Sequence, residues 1–381
     1  MAVVGITYAS YYPPAGVPLA PSNVTSVTKD AGATVSFLAP AANGTSPVTS
    51  WTVTPYISGV AQAPTTVSTG SAGSITGSNG STYVQVPVTG LTNSTAYTFT
   101  AKAVNARGAG PESGQSGANT PLSGLVFGDD FNGAASGPVD PEWWIYDNRC
   151  GYLAQSELEA YAASHCVLDG SGNLKLTAEH ASITVPRYPS DPLFPGNVTQ
   201  PWTSGACQSN TRTYAPAAGN TMTFEVRQKV MADAGNGYWP GFLWLEGQAF
   251  LTAWKTDPDQ TGWNTTTQAE IDIAEWPSGQ SSTTQFVENA WTGASGDPSS
   301  HAPLPGGGYD ATTMNIYQCR WKPGVSTTFW LNGSQLFSAT HIAASGAQFF
   351  LLIYLQMVAG GPTTTESCFV DYVRVYDQNL G

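Results

Sequence analysis

Residues 270–275 read EIDIAE, which places Glu270, Asp272 and Glu275 within six positions. Carboxyl groups this close suit acid–base and nucleophilic work at an acetal carbon. Cleavage of a glycosidic bond takes two of them: one protonates the leaving oxygen and the other attacks the anomeric carbon or activates water. Side chains alternate along a strand, so Glu270 and Asp272 share one face while Ile271 and Ile273 enter a core. Glu275 is an odd step away. One bulged residue near Ala274 returns it to the acid face, because a bulge sets two residues against one. The outer pair spans about 13 Å of backbone for four effective residues. A retaining pair of carboxyl groups sits only about 5–5.5 Å apart, so these side chains must lean inward over a curved sheet.

The middle acid has an electrostatic use. Asp272 can share a proton or hydrogen bond with Glu270 and help keep Glu275 protonated, since neighbouring like charge raises a carboxyl pKa. A solvent-exposed acidic strand face is the plain alternative. The flanks favour chemistry: Trp276 follows directly, and Trp239, Trp244, Trp254, Trp263 and Trp291 lie nearby. Aromatic faces suit sugar rings and apolar walls suit a protonated carboxyl group, although each Trp taken singly reads more readily as core.

The elements that position these residues are strands. Only 10% of the 381 residues are charged, against about a quarter in an ordinary domain. Gly, Ser, Thr, Asn and aromatics take their place. The composition fits an all-β protein with many turns and a neutral, polar ligand. A formal net charge of −13 argues against nucleic acid, which needs a basic face, and against an anionic membrane surface. No apolar run is long enough to span a bilayer. The start, MAVVGITYASYYPPAGVP, has no basic or apolar leader pattern, so no signal peptide is expected in this chain. The expected location is extracellular, either as a secreted protein or as part of a virion.

After an N-terminal extension (1–16), residues 17–120 alternate β-type segments with turn clusters, as in a small β-sandwich. VTGLTNSTAYTFTAKAVNARGAGPES carries Leu91 and Tyr97 at the spacing of a tyrosine corner, and Trp51 falls on an early strand. This stretch resembles a fibronectin type III domain, which implies a spacer or adhesive unit rather than a catalyst. NTPLSG (119–124) reads as a short polar linker. Residues 121–381 carry longer, Trp-richer strands without helical periodicity, as in a large two-sheet jelly roll.

The ExDxxE pattern and the segments around it resemble glycoside hydrolase family 16, the laminarinase-like β-glucanases, over most of residues 125–378. FGDDFNG (127–133), SELEAYAASHCVLDGSGNLKLTAEH (156–180), SGACQSN with TMTFEVRQKV and GYWPGFLWLEG (204–247), YQCRWKPGVSTTFWLNG (317–333) and FVDYVRVYD (369–377) occur in the family's order. The resemblance implies a concanavalin-like jelly roll with a cleft over its concave sheet. It implies Glu270 as nucleophile, Asp272 as its assistant and Glu275 as acid/base. Trp244 and Trp276 fall where the family lines its sugar subsites, with Trp291, Trp239, Asn289 and Arg227 as further binding candidates. The family's His–aromatic pair is replaced by FVENAWTG, with Asn289 or Ala290 near the His position and Trp291 kept. The usual Asp-Gly after the late Trp is Asn332-Gly333. No cofactor is implied for catalysis. A structural Ca²⁺ is implied at Asp371, an oxygen ligand of the hard kind this ion takes.

Two functions from different classes follow. One is a retaining endo-glycosidase acting on a β-linked polysaccharide, a β-1,3-glucan or a related glucan or galactan, with transglycosylation as a variant on the same residues. The other is a structural or adhesive virion protein, as in a phage tail, that binds or trims a host surface glycan and has other virion proteins as partners. Three mutually repelling carboxylates favour the enzyme. The five cysteines, all after residue 145, have no CxxC spacing, so a thiolate metal site is not expected. Cys150 and Cys166 are read equally as a local disulfide or as buried thiols. His165, His180, His301 and His341 are scattered and read as incidental.

Overall fold

A computed structural model describes residues 16–150, 158–186, 196–247, 269–277, 286–292, 295–301, 309–339, 346–358 and 363–380. The chain is all-β. Among the described residues the helical content is the 3₁₀ turn Ala163–His165. The first sandwich sets Ser22–Lys29, Gly32–Leu38, Thr82–Thr89 and Gly73–Thr76 in one sheet, and Val48–Ile57 and Thr98–Asn105 with short edge strands in the other. Alternation supplies its core: Val35 and Phe37 from one sheet meet Trp51, Val53, Phe99 and Ala101 from the other. The Phe37 and Trp51 rings meet edge-on at 5.4 Å. The tyrosine corner is formed as its spacing predicts, with the Tyr97 hydroxyl accepting the Thr92 backbone N–H at 3.0 Å.

The second sandwich packs two sheets. The larger runs Ser334–Ser338, Ser326–Leu331, Asn315–Lys322, Thr221–Lys229, Glu366–Gln378 and Leu125–Asp129 in spatial order. The seven-stranded sheet runs Trp143–Ile145, Ala206–Ser209, Phe349–Met357, Tyr238–Gly247, Ala269–Glu275, Phe286–Thr292 and Ser295–His301. Between them lies one apolar core. Tyr317, Cys319 and Trp321 are successive inward positions of one strand, and Trp321 meets Phe349 of the opposite sheet edge-on at 4.9 Å. Each such ring, fully buried, contributes on the order of 1.5–3 kcal/mol. All five cysteines are buried free thiols, so Cys150 and Cys166 form no disulfide.

The two sandwiches are docked rather than strung on a linker. The larger sheet continues into the first sandwich through the register pair Thr28–Gly128. The 119–124 segment lies in the seam. Asn119, 3% exposed, donates to the Ser26 carbonyl at 2.7 Å and accepts from the Asp130 N–H at 2.7 Å. Gln85 reaches Glu142 at 3.2 Å, and Arg212 holds the same carboxylate at 2.9 Å. Asn210 caps the Thr76 carbonyl at 2.7 Å. Gly117 touches the far side so closely that a Cβ would lie 1.2 Å from the Asn132 carbonyl oxygen. A polar stretch reads alike as a free linker and as a hydrogen-bonded seam; here it is the seam. Beside it a cavity of about 250 Å³ is lined by Thr25, Asn119, Asp129, Phe131 and Asp140, among others. Of the 1–16 extension, only Gly16 lies within the described residues.

Candidate active site

The acid strand, Ala269–Glu275, lies between Tyr238–Gly247 and Phe286–Thr292. Against the first neighbour its register is regular: Glu270 faces Glu246, Asp272 faces Trp244 and Glu275 faces Gly241. Against the second it shifts by one. Glu270 pairs with Trp291 and Asp272 with Asn289, but Glu275 pairs with Val287. Ile273 and Ala274 together therefore oppose Glu288, which is the bulge geometry.

The bulge has the expected consequence for side chains. Ile271, Ile273, Ala274 and Trp276 all belong to the inter-sheet core. Glu270, Asp272 and Glu275 occupy the remaining positions, and so share the opposite face. They are nonetheless buried, at 6%, 1% and 4% exposure. Buried carboxyl groups held side by side are costly, which is the cost a catalytic site bears and a solvated acidic face avoids. The half-buried Trp239 donates its indole N–H to Glu275 Oε1 at 2.7 Å.

The other sequence-derived candidates divide. Trp239 joins the acids directly. Trp244, Trp291 and Asn289 sit at register positions opposite Asp272, Glu270 and Asp272. Of the two residues near the family's His position, Asn289 is in the acid row, whereas Ala290 is in the core.

Trp276 is not in the cleft. It is fully buried between the sheets, with its ring edge-on to Tyr317 at 5.8 Å. With Glu275 turned outward, strand alternation sends the next residue inward.

Arg227 is not there either. It lies on Thr221–Lys229 of the larger sheet and is ion-paired with Asp371 of Glu366–Gln378. The same pair bears on the Ca²⁺ expectation. The Arg227 guanidinium already pairs with the Asp371 carboxylate, so a cation there would compete with an ion pair. Among the described residues no group of three or more His, Cys, Asp or Glu side chains could hold a metal ion.

The sequence reading missed much of the floor of this face. Along Phe349–Met357 the odd positions enter the core, while Phe350, Leu352 and Tyr354 form a second cluster with Tyr146, Tyr161 and Ala206. Tyr354 pairs with Gly241 and Gln356 with Trp239, so both lie beside the acids. Tyr146 donates its hydroxyl to Gln208, and Glu159 accepts from the Tyr161 hydroxyl at 3.0 Å and the Met357 N–H at 2.9 Å. Cross-strand register, absent from sequence spacing, brings these together. On the core side of the bulge, burial pushes the Glu288 carboxyl well above its usual range.

Comparison with known proteins agrees with this architecture. The fibronectin type III domain model matches residues 19–118. Comparison with curated protein sequences returns no match. Among solved structures, the endo-β-1,3-glucanase from Pyrococcus furiosus is similar at 22% identity, covering 66% of this chain and 94% of its own, with a TM-score of 0.50. The endo-1,3-β-glucanase from Streptomyces sioyaensis is similar at 24% identity, with 68% and 98% coverage and a TM-score of 0.51. A LamA variant from Zobellia galactanivorans, solved with laminaritriose and laminaritetraose, is similar at 18% identity, with 67% and 99% coverage and a TM-score of 0.51. The chain thus carries an N-terminal fibronectin type III domain followed by the jelly-roll fold of the family 16 glucanases.

Proposed function

We propose that the protein is an endo-acting glycoside hydrolase that cleaves a β-linked polysaccharide, a β-1,3-glucan or a related glucan or galactan, with retention of anomeric configuration. The observation that carries this reading is the row of three buried carboxylates turned off the core by one bulge, with Trp239 hydrogen-bonded to the last of them. The fold, shared with endo-β-1,3-glucanases, supports the same reading.

In the first step Glu270 attacks the anomeric carbon while Glu275 gives its proton to the departing oxygen, leaving a glycosyl ester on Glu270. In the second step Glu275, now ionised, takes a proton from water. The resulting attack releases the sugar and regenerates both groups. Two inversions give net retention. Asp272, between them on the same face, orients Glu270 and spreads the charge that moves along the row. Trp239 holds Glu275 in place through both steps, as preorganised hydrogen-bond donors do at sites of changing charge. A sugar acceptor in place of water turns the same cycle into transglycosylation.

Incubation with a panel of β-linked polysaccharides, with NMR of the first-formed products, tests this. Release of oligosaccharides with the β-anomer formed first is the expected result. First formation of the α-anomer would remove Glu270 from the nucleophile role. Binding of glycan without any cleavage would leave a carbohydrate-binding sandwich of the adhesive kind.

A further inference from the structure

The seam between the two sandwiches holds a groove that the candidate active site does not use. Its floor is the cavity of about 250 Å³ lined by Thr25, Asn119, Asp129, Phe131 and Asp140, all of them buried. Its mouth is exposed and polar, with Ser22, Asn23, Gly114 and Gln115 from the first sandwich and Asn132 from the second. The first strand shifts register between Ser22 and Thr25, with Asn23 at φ 52°, and irregularities of this kind re-aim side chains at a strand edge. A second cavity of about 370 Å³ shares Asn23, Pro138 and Val139 with the first and extends to Tyr83 and Trp143. A buried water needs only about 10–15 Å³, so the groove has room for an organic ring. The floor also carries two polar atoms without partners. Asp140 Oδ1 accepts the Glu142 N–H at 2.9 Å, but Oδ2, on a residue 4% exposed, has no hydrogen bond. Neither has the Thr25 hydroxyl, on a residue 8% exposed. That hydroxyl is near enough to Asp140 to favour its ionised form, yet no hydrogen bond joins the two. Buried polar atoms are nearly always paired, and leaving one unpaired costs stability. Two such atoms on neighbouring walls of an open cavity mark where a ligand's polar groups go.

We propose that this groove is a second binding site, separate from the acid row, for a neutral sugar ring whose adjacent hydroxyl groups are held by Asp140 Oδ2 and Thr25 Oγ1. Charge selects the class of ligand. Asp129 and Asp140 line the cavity, and no Lys or Arg does, which disfavours an anion. Among the described residues no cluster suited to a metal ion occurs. Burial raises both carboxyl groups, Asp129 to about 7. A neutral carboxyl group both donates and accepts, as a hydroxyl does, so Asp140 with Thr25 complements a vicinal diol. The amides of Asn23, Gln115 and Asn132 at the mouth suit further hydroxyls, and Val24, Phe131 and Leu168 give apolar surface to the C–H faces of a ring. Ligand sites favour domain interfaces of this kind. The groove is not a subsite of the acid row. Trp143–Ile145, which flanks the second cavity, lies four strands from Ala269–Glu275 in the seven-stranded sheet, on the order of 19 Å at ordinary strand spacing. Such a site holds a glycan on the protein whether or not the acid row cleaves it.

The test is an amide NMR titration of the full chain with methyl β-D-glucoside and, separately, with methyl β-D-galactoside. At least one of them should give saturable shifts at the Asn23, Gly114 and Asn132 amides. Thr25→Val keeps the shape of the side chain and removes only the unpartnered hydroxyl. It should weaken binding at the seam about tenfold, the loss of one hydrogen bond, while the melting temperature holds or rises. Glu270→Gln should bind at the seam as the parent does, which separates this site from the acid row. No saturable shift at the mouth with either glycoside would overturn the proposal, as would undiminished binding in Thr25→Val. A fall in the melting temperature of Thr25→Val would show that the hydroxyl serves the fold, and shifts produced by Ca²⁺ but not by sugar would make the groove a cation site; either result overturns it too. The titration reads binding at named amides and needs no turnover, so a parent protein inactive on every polysaccharide would refute the glycosidase reading without deciding the seam.

Discussion

Trp239 Nε1 lies 2.7 Å from Glu275 Oε1, across the strand pair that carries the candidate acid/base. Hydrogen bonds to charged groups are worth about 1.5–3 kcal/mol, and this one favours the ionised carboxylate. Trp239→Phe keeps a ring and removes the donor. It should lower kcat/KM about 10- to 100-fold and move the alkaline limb of its pH profile upward. A proportional drop at every pH would show that Trp239 only stacks on substrate.

Gly117 packs against the Asn132 carbonyl, where a Cβ would stand 1.2 Å from the oxygen. Backbone cannot step aside cheaply, so Gly117→Ala should separate the sandwiches while leaving each folded. Calorimetry of the parent should show one cooperative transition and the variant two. A single unshifted transition in Gly117→Ala would mean that the seam contributes nothing to stability.

The acid motif was legible because its physics is local. The period of two and one bulge place Glu270, Asp272 and Glu275 from six letters, and Ile273 and Ala274 opposite Glu288 satisfy that arrangement. The same rule, carried one residue further, sends Trp276 inward, so its proximity to Glu275 in sequence was misleading. Arg227 and Asp371 lie in strands the sequence suggested, but linear order does not say which of two sheets a face belongs to. Tyr354 and Gly241 were invisible because they meet only through register, more than a hundred residues apart. The 119–124 stretch reads as a linker in sequence because its polar atoms find partners only in three dimensions.

Arg227 and Asp371 form a partly exposed ion pair, at 39% and 29% side-chain exposure. Pairs of this kind contribute about 0–1 kcal/mol. Arg227→Ala should therefore barely move the melting temperature and should leave KM for oligosaccharide unchanged, the reverse of a subsite residue. Excess chelator should leave the melting curve of the parent in place. A fall in melting temperature restored by Ca²⁺, and abolished in Asp371→Asn, would show that the carboxylate binds the ion after all.

Asp129 and Asp140 line the cavity at the seam. Burial is the main cause that lifts Asp129 to about 7, despite donors from the Phe131 N–H and the Trp143 indole. Burial, with Asp129 and Glu142 close by, holds Asp140 well above the usual carboxylate range. Groups raised in the folded state bind more protons there than in the unfolded chain. Their contribution is complete below the unfolded value near 4 and is lost as pH rises through the folded value. For Asp129 that window runs from about 4 to about 7, with a limiting slope of about 1.4 kcal/mol per pH unit; Asp140 extends the loss to higher pH. Carboxylates lowered by hydrogen bonds, such as Asp30 and Asp169, act in the other direction and are lost only as pH falls below their unfolded range. Melting temperature should therefore peak in mildly acidic solution and decline toward neutrality. Asp140→Asn keeps an oxygen for the Glu142 N–H, which Asp140 Oδ1 accepts at 2.9 Å, and carries no charge at any pH. It should flatten the decline and raise the melting temperature above pH 7. Calorimetry of both proteins from pH 4 to 9 reads this directly, and parallel curves for the two would mean that Asp140 does not titrate in the seam.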